Sequence, residues 1–394
     1  MIKQITPDIL YIGTDDPILG RFDNHLLTPD GMAYNSYLIL DEKVAVLDTT
    51  DRYTQKSWED NLLTALKGRT PDYLIVHHME PDHSSHIDWV LERFPSVKVV
   101  STAKTLQMIP QFFPEADLEG RGVAVKEGDE LSLGRHSLRF FMAPMVHWPE
   151  VMVSFESSTG ILFAADAFGK FGALGKCGYT SDEETDWLPE ARRYYLNICG
   201  KYGGPVQTLL KKAATLPIKT ICSLHGPILK GDLSEYIRLY DLWSRYEPEK
   251  AEGVFVPFAS MHGGTQAVAE RFVDILRSRG TEAVTFDLAN GDPAQAVALA
   301  FVYGRTVLAA CSYDAGLFTP ALHFILDLQS KAWQNRKVGL IENGSWAPSA
   351  GRIMREMFSG MKGIELVEPL VSIRSRLKSQ DIPALEALAD SITG

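Results

Sequence analysis

The run Leu74-Ile75-Val76-His77-His78-Met79-Glu80-Pro81-Asp82-His83 limits what this chain can fold into more than any other stretch, because an apolar strand leads directly into five titratable side chains within seven residues. Enclosing that many such groups without a cation costs several kcal/mol for each buried charge. Pro81 cannot continue a β-ladder, so the run is expected to stay looped, with His78, Glu80, Asp82 and His83 turned toward one point. His77, beside the motif and on the opposite face of its strand, reads as structural, as does His86.

Three other apolar stretches end in the same way. Phe140 to Val146 leads to His147, Ile161 to Ala165 leads to Asp166, and Thr220 to Leu224 leads to His225, each followed by a turn such as Trp148-Pro149 or Gly226-Pro227. Taken singly, a histidine at a strand end is ordinarily a hydrogen-bonded surface residue and an aspartate a turn cap. Taken with the His-x-Glu-x-Asp-His run, they form one set of imidazoles and hard carboxylate oxygens, which suits iron or manganese, with zinc as the competitor.

Composition narrows the setting. A chain of 394 residues has room for two to three domains of roughly 150 residues each. Lys plus Arg number 39 against 50 Asp plus Glu, and the resulting formal charge of −11 disfavours nucleic acid and anionic membranes as partners. Neither a basic-then-apolar leader nor an apolar run of roughly 18 residues occurs, so secretion and membrane insertion are not expected. Cys177, Cys199, Cys222 and Cys311 make no C-x-x-C pair, which argues against thiolate metal sites and suits a reducing cytoplasm.

Up to about residue 250 the strands come in consecutive pairs, Tyr37 to Leu40 with Val44 to Leu47 and Leu138 to Met142 with Val151 to Phe155. Helical periodicity lies between them, at Ser57 to Leu66, Ile87 to Phe94 and Pro189 to Tyr202. After the charged stretch from Arg245 to Lys250 the pattern becomes strand, Gly-rich loop and amphipathic helix, repeated, which implies a parallel doubly wound sheet with ligands at the carboxyl ends of its strands. Ser260-Met261-His262-Gly263-Gly264-Thr265 offers hydroxyls and a helix N-terminus to one phosphate, without the Walker lysine or a dinucleotide fingerprint. The loops around Ser312-Tyr313-Asp314-Ala315-Gly316-Leu317 and Asn343-Gly344-Ser345-Trp346 set an aromatic residue beside glycine, as a flat ring requires.

The metal run with Glu80 at its second position resembles the metallo-β-lactamase-like domain of flavodiiron proteins; hydrolases of that fold carry His-x-His-x-Asp-His instead. The three later loops resemble those of flavodoxin, so the resemblance spans nearly the whole chain. It implies an α/β protein: a metallo-β-lactamase-like αββα sandwich over 1–250, then a flavodoxin-like doubly wound parallel sheet over 251–394. Carried over by position, it implies one iron on His78, Glu80 and His147, a second on Asp82, His83 and His225, and Asp166 with a hydroxide or oxo group as bridge. Ser260, Met261, Gly263, Gly264 and Thr265 would hold the phosphate of flavin mononucleotide (FMN). Ser312, Tyr313, Asp314, Gly316, Leu317, Asn343, Gly344, Ser345 and Trp346 would bracket its ring, and His25 with Tyr195 of the Tyr194-Tyr195 pair would line a substrate pocket.

The activity implied is reduction of dioxygen to water or of nitric oxide to nitrous oxide, by electrons passed from FMN to the diiron centre. A rubredoxin or similar carrier is the implied donor, since no NAD fingerprint occurs, and a head-to-tail homodimer, or a tetramer built from it, is the implied assembly. The alternative is a dizinc hydrolase fused to a flavodoxin module, against which Glu80 weighs. Ser85 and His86 stand where the family has small residues, which leaves the choice of gas open.

Overall fold

Alternation along the paired strands builds two cores at once. Tyr37, Ile39, Ala45 and Leu47 face one cluster, whereas Leu38, Val44 and Val46, one residue out of phase, face another. In the computed structural model, which describes residues 2–183 and 186–394, these strands sit within a seven-stranded sheet. Its order is Lys3–Gln4, Ile9–Tyr11, Tyr37–Leu40, Val44–Leu47, Tyr73–Ile75, Lys98–Thr102, Gly122–Val125, antiparallel up to Val44–Leu47 and parallel beyond. The helices Gln55–Leu66, Ile87–Arg93 and Ala103–Phe112 bring Trp58, Leu62, Val90 and Ile109 onto its outer face.

The inner face meets a six-stranded sheet through Ile75 and Val100 on one side and Leu138, Phe140, Met152 and Phe163 on the other. That second sheet is antiparallel except where Ile161–Phe163 runs parallel to Thr220–Cys222. Parallel pairing makes both strands leave the sheet at the same edge, and the exit segments stay joined through Leu224 N–H to Ala165 O at 2.8 Å. This is what sets Asp166 beside His225. Lys212 of the helix Gly203–Ala213 donates to Met142 O at 2.8 Å, tying a helix over this sheet and completing four layers.

One local expectation fails. The metal run does not stay looped: Pro81–Ser84 is a one-turn helix, because proline at the first helical position loses no hydrogen bond and brings the φ that the turn needs. The Ser84 hydroxyl anchors the turn by donating toward Met79 O and Glu80 O at 2.9 and 3.0 Å.

The chain divides into two compact units, one formed by the residues up to Tyr195 with Gly204–Asp241, the other by Leu196–Gly203 with Leu242–Gly394. In the second unit the sheet order is Ala283–Asp287, Lys250–Ala259, Tyr303–Tyr313, Arg336–Asn343, Ile364–Leu366, all parallel. Numbered along the unit this is 2-1-3-4-5, so the topological switch lies between the strands ending at Ala259 and Tyr313, where such sheets bind ligands. Helix Gly264–Ser278 contributes Val268, Phe272 and Leu276 to its core. Val371–Ile373 also pairs with Arg336–Asn343, in parallel. Among the described residues no helix is long and apolar enough to cross a membrane.

Candidate functional site

His78, Glu80, His147 and Asp166 form one group of donor atoms, and Asp82, His83 and His225 a second, the atoms of each group lying within 4.8 Å of one another. In the first group, Glu80 Oε2 is 3.2 Å from His78 Nε2 and 2.9 Å from His147 Nε2, and Asp166 Oδ2 is 3.5 and 3.2 Å from the same two nitrogens. In the second, Asp82 Oδ2 is 3.3 Å from His83 Nε2 and 3.2 Å from His225 Nε2. Asp166 Oδ1 lies 3.1 Å from His83 Nε2 and 3.8 Å from His225 Nε2, so this carboxylate turns one oxygen to each group.

These separations are those of ligands around a cation. Two atoms each about 2.1 Å from one ion and 90–110° apart lie roughly 3.0–3.4 Å from each other. Hydrogen bonding does not account for them equally well. Both oxygens of Asp82 and both of Asp166 lack a bond of acceptable geometry despite their short contacts, since the groups are aimed at a common point rather than at each other. His83 Nε2 faces His225 Nε2 at 3.1 Å, an approach that two lone pairs make around a shared positive charge.

Without a cation the electrostatics are those of proton storage. Burial acts to discharge His147, but Asp166 and Glu80 outweigh it and hold the imidazole at about 9. His78 and His83 are raised against the same burial by their carboxylate neighbours, while burial's upward push on Glu80 and Asp166 is overcome by the imidazoles, which hold both low. A metal binds these rings only in their deprotonated form and so displaces those protons. Non-glycine residues with positive φ precede His147 and Asp166, Met145 at 66° and Ala165 at 49°, strain of the kind that clusters at functional sites.

The neighbours divide by role. His77 points away from the centre, its Nδ1 donating to Asp48 Oδ2 at 2.6 Å and its Nε2 bonded to Ser154 Oγ at 2.8 Å. His86 stacks on Trp58 at 5.3 Å between ring centres. Of the tyrosine pair, Tyr194 lies 5.5 Å from the His225 ring, whereas Tyr195 packs on Tyr240 at 4.9 Å. His25 is exposed in the hairpin turn between Arg21–Phe22 and Leu26–Leu27, and Phe22 from that hairpin meets the His225 ring edge-on at 5.4 Å.

Two carboxylates escaped the sequence reading. Glu150, three residues past His147, accepts from His78 Nδ1 at 2.8 Å. Asp23, in the same hairpin turn as His25, is pushed up to about 7 by burial and then by the charges of Glu80 and Asp82. Glu150 follows Trp148-Pro149 and Asp23 follows a strand of only two residues, Arg21–Phe22, so neither stands after an apolar run of the kind the sequence pattern relies on.

The cofactor loops gather at the switch point of the second unit. Gly263 begins the helix Gly264–Ser278 at φ 80° with no side-chain cap, and the Ser260 hydroxyl is buried without a partner; both are requirements a phosphate would satisfy. Met261 and Tyr313 are part-exposed and Trp346 is 89% exposed, an aromatic face with nothing over it. The second loop is a hairpin: Ser312 pairs with Leu317 and Tyr313 with Gly316 around Asp314-Ala315, whose φ values of 48° and 57° belong to a two-residue turn. Ser312 Oγ accepts from Ser349 N–H at 2.7 Å, so it closes the next helix. Thr265 is buried, and Asn343 and Ser345 bond to Ser375, the former through both amide atoms at 3.0 Å and the latter at 2.8 Å. Gly344 leaves no room for a Cβ, which would lie 2.9 Å from Pro348. The segment carrying Ser375 thus borders the same loops, a neighbour that no motif in the sequence points to.

A domain family described as ODP family beta lactamase matches residues 32–226. A nitric oxide reductase of Moorella thermoacetica is 29% identical over 96% of this chain and 94% of its own length. A putative diflavin flavoprotein of Nostoc is 28% identical over 89% of this chain and 60% of its own, and one of Thermosynechococcus vestitus is 31% identical over 74% and 51%. The chain thus spans about half to three fifths of the length of these diflavin relatives. Among solved structures, the rubredoxin oxygen:oxidoreductase of Desulfovibrio gigas superimposes with a TM-score of 0.93 at 22% identity over 100% of this chain and 98% of that one. The flavodiiron protein of Giardia intestinalis does so with 0.91 at 22% identity, over 99% and 96%.

Proposed function

We propose that the chain is a flavodiiron protein, an oxidoreductase carrying electrons from bound FMN to a non-haem diiron centre, where dioxygen is reduced to water or nitric oxide to nitrous oxide. The observation that carries this reading is Asp166, whose two oxygens face two separate sets of donors. His78, Glu80 and His147 would hold one iron, and Asp82, His83 and His225 the other. The donor set fits: four imidazoles and three carboxylates, with no thiolate among them, suit ferrous ions. When bound, FMN and two ferrous ions supply the four electrons that take dioxygen to water, or the two that couple nitric oxide.

The chain's own residues supply position and exclusion of water. Burial of His78, His83, Asp166 and His225 keeps the donors in a low-dielectric pocket where their charges act strongly. Phe22 and Tyr194 bracket the His225 ring and shield that side from solvent. Ser260, the uncapped helix at Gly263 and Gly264, and Thr265 would cradle the FMN phosphate, with Tyr313 and Trp346 against its ring.

The relatives' names support a rubredoxin-type donor and either gas as substrate, and a head-to-tail homodimer is the assembly the reading calls for. The four cysteines make no C-x-x-C pair, in keeping with the cytoplasm as its compartment. Metal and flavin analysis of the purified protein, followed by stopped-flow oxidation of the reduced form with each gas, tests the proposal. Two irons and one FMN per chain with fast reoxidation are expected. Two zinc ions with hydrolytic turnover would replace it by the hydrolase reading.

A further inference from the structure

The four imidazoles of the centre differ in what stands behind them. His225 Nδ1 donates to a neutral carbonyl, Ala33 O, at 2.7 Å, and His83 Nδ1 has no partner at all. His78 Nδ1 donates to a carboxylate, Glu150 Oε1, at 2.8 Å. That oxygen also accepts the Met79 backbone N–H at 2.9 Å, which fixes its place, while Glu150 Oε2 is buried without a hydrogen bond. The residue is 1% exposed and His78 is fully buried. A buried carboxylate with one oxygen unpaired is costly unless a positive charge answers it, and the ring that bonds it is that of His78.

The charges are therefore unequal across the centre. The first group has Glu80 and, through His78, Glu150 as its own anions; the second has Asp82 alone, and the two share Asp166. We propose that Glu150 is a positioning residue that makes the two metal positions inequivalent, giving the His78–Glu80–His147 position the tighter hold on its ion and making it the first to be oxidised. The inference rests on the diiron reading and goes beyond it by ranking the two positions. An anion hydrogen-bonded to a ligating imidazole fixes its tautomer and raises its basicity, and the loss of such a partner typically costs roughly 10–100-fold in metal affinity.

Glu150→Gln tests this, since the amide oxygen can accept the same two hydrogen bonds without the charge. Zinc titrated into the metal-free protein against a chelator should give two unequal affinities in the wild type. In Glu150→Gln the tighter one should fall roughly tenfold or more toward the weaker. In the iron-loaded protein, the half-oxidised form, read by its paramagnetic resonance, should persist over a narrower range of potential in the variant. Glu150→Asp, which keeps the charge, should hold the two affinities apart. Unchanged affinities and an unchanged half-oxidised range in Glu150→Gln overturn the proposal, as does loss of both metals in Glu150→Asp, which would make the residue a requirement of folding alone. Failure of the wild type to take up two metals refutes the diiron reading itself, and is seen without any variant.

Discussion

His147 shows how one side chain couples protons to metal. Its imidazole is held at about 9 in the metal-free chain, above the ordinary value near 6.5, by Asp166 and Glu80 acting against burial. A metal must displace that proton, so affinity should rise with pH and level off near pH 9; chelator competition with zinc at several pH values reads it. The same shift bears on stability with the opposite sign. The folded value exceeds the unfolded one, so the stabilisation of the metal-free chain is complete below about pH 6.5 and is lost as pH rises through 9. Glu156 is the converse case, away from the centre. Burial acts to raise it, but Ser158, Thr159 and His136 bind its carboxylate and hold it down at about 2. Ser158 N–H, Thr159 N–H and His136 Nδ1 all lie within 3.0 Å of its oxygens. Its contribution should therefore be present above about pH 4.5 and be lost as pH falls toward 2. Glu156→Gln is expected to cost about 1–3 kcal/mol in urea unfolding at pH 7, with the deficit shrinking in acid.

Elements with strong periodicity were readable in advance, and the reasons some others were not are local. Tyr37–Leu40 and Val44–Leu47 carry continuous apolar runs of strand length, and both ends of each agree with the sequence expectation. Pro81–Ser84 was misread because the proline that forbids a ladder also starts a helix, and only the Ser84 bonds to Met79 O and Glu80 O decide between the two. The side chains of the two donor groups follow apolar runs that the sequence displays, whereas Glu150 and Asp23 follow none, and there one acid looks like any other. Val371–Ile373 is three residues long and follows Glu368-Pro369, too short to show a period. The segment after it matters for the cofactor crevice. A Cβ added at Gly264 would lie 2.6 Å from Ser375 O, so glycine is needed there to admit another part of the chain, whereas Gly263 has open space and is needed for its φ of 80°. Gly264→Ala should push the Ser375 segment off Asn343 and Ser345, and FMN affinity, followed by quenching of flavin fluorescence, should fall at least tenfold. Unchanged affinity would mean that the Ser375 segment takes no part in the crevice.

At the scale of the molecule, each unit has a core of its own and its own candidate ligand. The first encloses Ile39, Leu47, Phe140 and Phe163 beneath the metal residues; the second encloses Val256, Phe272, Ile341 and Leu388 beneath the flavin loops. Three carboxylates and four imidazoles meet in the first, and a metal they bind only in the folded chain would stabilise that unit by linkage. A ligand that binds only the folded state stabilises it by about 4 kcal/mol when present at a thousand times its dissociation constant. For a unit of roughly 230 residues this amounts to a shift on the order of 10 °C in the unfolding midpoint. Scanning calorimetry of the loaded protein, the chelator-treated protein and the flavin-depleted protein should therefore show ligand-specific effects. Chelation should lower the transition in which the first unit melts, flavin removal should lower the transition of the second, and restoring either ligand should recover only its own. If chelation instead lowered the second unit's transition and left the first in place, the seven residues from His78 to His225 would not be the ones that hold the metal.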